Sequence, residues 1–161
     1  MTDRRTVHVV PEEARRYQGR PAGLVSRLVA GTVDAAVSLV IVIGIYLGWS
    51  AARFLWQGRK FAFPTPDWSW LIVAFGVVLT VYLGVSWAMT GRTYGAHVLG
   101  LRLVARGGGS VHPVRAMLRG VLCAWMPLLL LWAAIDRDRR SVPDLILRTS
   151  VIYDWEARAP G

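Results

Sequence analysis

Three apolar stretches divide this chain, and the polar residues between them are mostly basic. The first, residues 24–49 (LVSRLVAGTVDAAVSLVIVIGIYLGW), holds Arg27 near its start and Asp34 inside it, then runs uncharged for fifteen residues to Trp49. At roughly 1.5 Å rise per helical residue, those fifteen cover about 22 Å of a hydrocarbon core roughly 30 Å thick. The second stretch, residues 68–89, is uncharged over 22 residues, about 33 Å as a helix and enough to span. The third, residues 120–135, has sixteen uncharged residues with Pro127 in the middle. It barely reaches across, and the proline kinks any helix through it. The pattern predicts an all-α membrane protein with three apolar helical segments, the third either a simple span or a re-entrant segment bent at Pro127.

Small residues recur at helical spacing inside these segments. Gly31 and Ala35, then Gly44 and Gly48, lie four apart on the first; Gly76, Thr80 and Gly84 form a stripe on the second, a candidate groove for the first helix. Trp49, Trp56, Trp68 and Trp70 fall at one end of both helices, as an interfacial belt requires.

The connections differ in charge. Residues 51–67 read as a loop with Arg53, Arg59, Lys60 and two prolines, whereas residues 90–119 hold five arginines and no acidic residue. Residues 1–21, with five arginines, lack apolar periodicity and read as a disordered basic arm. Lys and Arg counts near the membrane ends place the N-terminus and the 90–119 loop in the cytoplasm. Residues 136–161 carry five basic and five acidic residues, which leaves their side open. Within 90–119, residues 93–99 suit one short interfacial helix ended by Gly100. Residues 101–104 suit a strand, and residues 106–110 (RGGGS) a turn, giving a small cytoplasmic β-hairpin-like loop. The triple glycine lacks the Gly-Lys-Ser/Thr ending of a phosphate loop. Residues 149–153 read as a second strand. It pairs with 101–104 only if both lie on one side, which requires the re-entrant form of the third segment.

Composition narrows the class. With 161 residues, 54% hydrophobic and eight Trp, and a mean hydropathy of +0.40, the chain reads as one membrane domain rather than a soluble one. The net charge of +9 flanks apolar segments, so anionic lipid headgroups and insertion topology account for it and nucleic acid is not expected. The first apolar run is too long and too late for a cleavable signal peptide. Cys123 is the single cysteine, which excludes an intramolecular disulfide and a cysteine metal cluster.

Among charged side chains Asp34 stands out. A charged Asp at the bilayer centre costs about 2.5 to 3.5 kcal/mol on insertion scales, so it must be paired, hydrated or protonated. Arg119, at the start of the third segment, is the expected partner. Arg27, seven residues before Asp34 and on the same helix face, and Arg115 complete an expected intramembrane polar cluster. Such a cluster is either a fixed ion pair locking the first helix to the third, or a titratable carboxylate for proton-coupled transport. Asp144 reads as a loop or cap residue. His97 and His112 read as interfacial, and no metal or other cofactor is expected. Ser38, Ser86 and Cys123 stand isolated in apolar helices with no base nearby, so no enzyme chemistry is expected.

These landmarks together resemble the RDD family of bacterial membrane proteins, named for an arginine and two aspartates. Residues 22–28 (AGLVSRL) followed by Asp34 look like the family's opening helix. Residues 91–95 (GRTYG) and 99–104 (LGLRLV) are similar to its loop signature, with Gly91, Arg92, Thr93, Gly95 and Gly100 at motif positions. Arg115 and Arg119 match the arginines that open the third apolar region. Residues 136–144 (DRDRRSVPD), with Thr149 and Val151, resemble the closing motif and make Asp144 the second aspartate. Pro143 stands where the family typically has His, and Ala96 where a basic residue is common, so a mechanism using that His as proton carrier does not transfer. The resemblance covers residues 22–153, with 154–161 a short tail. It implies a multi-pass protein of the bacterial plasma membrane, with transport proposed in the family, including cation/proton exchange for some members. Three segments are too few to enclose a path in one chain. Both an accessory and a transport role then need other chains. The absence of a second intramembrane carboxylate favours an accessory or assembly subunit of a larger membrane complex, and the alternative is an oligomeric ion or proton-coupled transporter using Asp34. Expected partners are membrane lipids and other membrane subunits or further copies of the chain.

Overall fold

The structure, a computed structural model, describes residues 19–107, 109–134 and 141–154. Most of the basic arm and of the short tail lies outside the described residues. Helix α1 (Leu24–Gln57) has 34 residues, about 51 Å of rise, and so exceeds a bilayer core. It continues through residues 51–57, which the composition assigned to a loop, because Ala51, Ala52, Phe54 and Leu55 offer no break. It stops where Gly58 adopts φ 52° and its N–H bonds to the Phe54 carbonyl, a backbone state that glycine takes without strain. A 3₁₀ turn (Gly58–Lys60) follows. The loop then folds back on α1: the Tyr46 hydroxyl donates to the Pro64 carbonyl at 2.9 Å, and Phe61 meets Phe54 and Phe63 edge to face.

Helix α2 (Trp68–Met89) is the second element long and apolar enough to cross a membrane; among the described residues α1 and α2 are the two that qualify. Next come α3 (Tyr94–Val98), β1 (Leu101–Ala105) and α4 (Pro113–Trp125). The third apolar run is not one helix. Pro127 supplies no N–H to continue α4, Met126 leaves helical geometry at φ −132°, ψ 61°, and Pro127–Ala134 continue as 3₁₀ turns.

The small-residue stripe on α2 is filled by a different partner from the one its pattern implied. Gly76 lies under the Trp125 ring and Gly84 under Met117, both on α4. Gly120 of α4 in turn sits against the Thr80 carbonyl of α2. A Cβ on Gly120 lies 2.8 Å from that backbone oxygen, so only glycine permits this approach. The groove expected to receive α1 therefore belongs to α4. The chain reaches α4 through residues 90–112, which include α3 and β1.

The sheet also differs from a local hairpin. β1 pairs antiparallel with β2 (Thr149–Tyr153), from Leu101 opposite Tyr153 to Ala105 opposite Thr149. The glycine turn after β1 leads into α4 rather than into a neighbouring strand. The intervening chain doubles back, so the two strands flanking the third apolar run lie side by side; α5 (Val142–Leu147) delivers β2. Residues 19–22 run along the other edge of β2: Gly19 N–H bonds to Tyr153 O at 2.8 Å and Ala22 N–H to Val151 O at 2.8 Å. Buried Ala22, Ala30, Ala96 and Leu101 form one small core, Leu103, Val111 and Ala116 a second, and Val151 packs against both.

The α2–α4 approach gives a direct test. Gly120→Ala forces the helices apart and is expected to cost about 1–3 kcal/mol, read as a lower midpoint of thermal unfolding in detergent. Gly44→Ala meets nothing within 4 Å and is expected to leave that midpoint unchanged or slightly raised.

Candidate functional site

Two buried carboxylates organise the end of the molecule that holds the sheet. Asp34, on α1, is 3% exposed. Its Oδ2 accepts from the Thr93 hydroxyl at 2.6 Å, and its Oδ1 accepts from Gly95 N–H at 2.8 Å and the Tyr82 hydroxyl at 3.0 Å. Thr93 caps α3, its Oγ1 accepting from Ala96 N–H, and Tyr94 N–H donates to the Tyr82 hydroxyl. The loop signature is thus a platform docked on α1. A Cβ on Gly95 lies 2.2 Å from the Ala30 carbonyl and 3.0 Å from Asp34 Oδ1, which explains why glycine stands there. Gly91 and Gly100, at φ 70° and 63°, turn the chain at either end of this platform.

The expected Asp34–Arg119 pair does not form. Asp34 is occupied by three neutral donors, and Arg119 binds Asp144 instead. The physical reason is the doubling back of the third run. It returns α5 to the base of α1, where Asp144 is within reach of both guanidiniums before Asp34 is.

Asp144 is the second centre, with a fully buried side chain. Its Oδ2 accepts from Arg27 Nη1, the Ser141 hydroxyl and Ser141 N–H; its Oδ1 accepts from Arg119 Nη1 and the Thr149 hydroxyl. Ser141 and Asp144 stand at the N-cap and third position of α5, so one carboxylate both caps a helix and bridges two arginines. Pro143, buried in the first turn of α5, loses no helix bond there and brings no titratable group to the site. Arg27 Nε also donates to the Ala22 carbonyl at 3.2 Å, and the Arg119 guanidinium lies 4.9 Å over the Trp87 ring. Burial pushes the Asp144 carboxyl up, but the charges of Arg119 and Arg27 outweigh it and hold the group well below the usual carboxylate range.

Of the expected cluster, then, Arg27 and Arg119 meet, Asp34 stands beside them with other partners, and Arg115 is exposed on the outer face of α4. Arg92 joins Arg102 in binding the Asp154 carboxylate, at 2.9 and 3.2 Å. Asp144, read as a cap, is a cap and also the hub. The Ser-x-x-Asp spacing at 141–144 signalled the cap; nothing local signalled the two arginines. Tyr82 was missed because a single hydroxyl in an apolar helix has no distinguishing pattern.

A cavity of about 420 Å³ lies alongside both centres, lined by Arg27, Asp34, Thr93 and Arg119 and walled mainly by apolar side chains such as Leu83 and Trp87. Among the described residues, none accepts from Arg27 Nη2 or Arg119 Nε, both buried. A buried donor left unsatisfied costs roughly 1–3 kcal/mol, more when charged.

A family model described as RDD family matches residues 21–148. No curated protein and no solved structure matches the chain.

Two outcomes follow from the Asp144 hub. Asp144→Asn leaves two buried guanidiniums without a counter-charge and is expected to destabilise by about 3–5 kcal/mol, seen as loss of folded protein or a large drop in thermal midpoint. The unfolded chain binds the Asp144 proton at higher pH than the folded one. This site's contribution is therefore complete above about pH 5 and falls as pH drops through the ordinary carboxylate range toward the depressed folded value. Unfolding scans from about pH 8 down to 3 check the sign, with the wild type losing stability only on the acid side.

Proposed function

The chain belongs to the RDD family, and from that premise we propose that it is an accessory or assembly subunit of a larger membrane complex in a bacterial plasma membrane. The observation that carries this reading is the division of α1 into a half tied by buried polar side chains and a largely exposed half, held by loop contacts at Tyr46 and Phe54. From Arg27 to Ser38 its buried residues face the platform and the hub. Beyond them, Leu39, Val40, Ile43, Ile45, Leu47 and Trp49 are exposed, and Gly44 and Gly48 face open space on the side where a Cβ would point. Small residues at four-residue spacing let a second backbone come close, which is how helices associate in lipid. Both buried carboxylates are meanwhile saturated by their own chain, which suits fixed packing anchors better than a group that must exchange protons. The reading assigns no catalytic step and no nucleic acid partner.

In the same reading the N-terminus, the sheet, α3 and α5 face the cytoplasm. Five arginines in residues 1–21 and five in 90–119 outweigh three basic residues in the loop between α1 and α2. Residues 19–22 run beside β2, so the arm and the sheet share a side. The third apolar run then enters and leaves on that side, turning near Pro127. A second reading, an oligomeric ion or proton-coupled transporter, draws on one observation: Asp34 lines the 420 Å³ cavity.

Native co-purification in mild detergent, with mass spectrometry of the eluate, tests the proposal. A stoichiometric complex with other membrane proteins is expected, and Gly44→Leu with Gly48→Leu is expected to cut partner recovery at least tenfold without lowering the thermal midpoint. A clean homo-oligomer whose liposomes carry proton-coupled flux that Asp34→Asn abolishes overturns it in favour of transport.

A further inference from the structure

The hub leaves two donors over. Arg27 Nη1 and Arg119 Nη1 hold opposite oxygens of Asp144, yet Arg27 Nη2 and Arg119 Nε have no acceptor among the described residues. Both side chains are more than nine-tenths buried, and both line the 420 Å³ cavity. Two guanidiniums share one carboxylate at the hub, and the Asp34 carboxylate lines the cavity beside them. Asp34, on the same cavity, is already engaged by Tyr82, Thr93 and Gly95. Most of the rest of the wall is apolar, from Phe75, Leu79 and Leu83 on α2 to Leu130 beyond α4, with Thr32 and Cys123 among it. Its volume lies within the range of small-molecule sites, roughly 300–1,000 Å³.

We propose that this cavity binds a single-chain amphiphile with an anionic oxygen head, the head accepting from Arg27 Nη2 and Arg119 Nε and the chain lying against the apolar wall. A carboxylate or phosphate supplies the acceptor oxygens that the orphaned donors lack, and guanidinium is the side chain best matched to either. The mouth lies on α1, where the lining residues Leu28, Gly31 and Thr32 are exposed. It therefore opens toward the phase from which a lipid arrives. A Cβ on Gly31 meets nothing within 4 Å, so a larger side chain starts into open space at the mouth. The proposal concerns one chain and stands apart from the subunit reading, since it needs no second protein.

The test uses the full chain, delipidated in detergent and exposed to oleate, to lysophosphatidylglycerol, to methyl oleate and to inorganic phosphate, with native mass spectrometry reporting adducts. One molecule of oleate or of the lysophospholipid per chain is expected, and which of the two is retained identifies a carboxylate or a phosphate head. Methyl oleate is expected to bind at least tenfold more weakly. Gly31→Leu is expected to lower oleate or lysophospholipid binding at least tenfold with the thermal midpoint unchanged. Failure of both anionic amphiphiles to bind overturns the proposal. So does equal retention of methyl oleate, phosphate binding equal to that of the amphiphiles, or wild-type binding by Gly31→Leu.

Discussion

The Asp144 carboxylate, shared between Arg27 and Arg119, is the constraint on which the rest of the arrangement depends. Neither guanidinium can discard its charge in a protein, so each has to find a counter-charge wherever the chain buries it. One carboxylate serves both, and it comes from a point 117 residues after Arg27 and 25 after Arg119. Buried ion pairs add little net stability, because desolvation offsets most of the Coulomb gain, but removing one partner is severe. Their effect is on topology. The two pairs require the chain to bring α5 back beside the start of α1 and the start of α4.

Asp34 solves the same burial problem by another route. It recruits three neutral donors, a hydroxyl from α2, a hydroxyl at the cap of α3 and a backbone N–H two residues on. The Gly95 contact is possible only because glycine allows the α3 backbone to reach the Ala30 carbonyl. The consequence is an ordered platform directly after α2, from which β1 leaves in register with β2. Asp34 and Asp144 therefore hold different joints: the first sets where the loop sits on α1, the second sets where the chain returns after the third apolar run.

Much of this was legible in residue order, and the failures share a cause. The two long apolar helices, the short helix ended by Gly100 and both strands follow from local patterns of apolar length, glycine and turn residues. What periodicity does not encode is which partner a pattern meets. The Gly76, Thr80 and Gly84 stripe announces a close helix approach, but α4 fills it rather than α1. Asp34 and Arg119 were matched by charge and depth, whereas the fold gives each a nearer partner through a return of the chain that only Pro127 hinted at. Arg27 is buried and binds Asp144, which comes from 117 residues further along the chain. A short-range signal fixed the residue, and a long-range contact decided the chemistry.

The last consequence concerns how α1 divides. Its platform half is tied by Arg27 and Asp34, and its polar atoms there are spoken for except Arg27 Nη2 and the Ser38 hydroxyl. Its other half outruns the 22-residue α2 and carries exposed apolar side chains beside the loop contacts at Tyr46 and Phe54. In water such a surface is an aggregation hazard; in a bilayer it has no drive to hide, and lipid or a helix of similar shape covers it equally well by area. Selectivity for a helix then rests on close backbone approach, which Gly44 and Gly48 permit and a uniform leucine face does not. The fixed hub is what makes that useful. With Arg27 and Asp34 holding one half of α1 at a set angle to α2 and α4, the other half is presented in one orientation rather than many, which under the proposed subunit role reduces the ordering that docking has to supply.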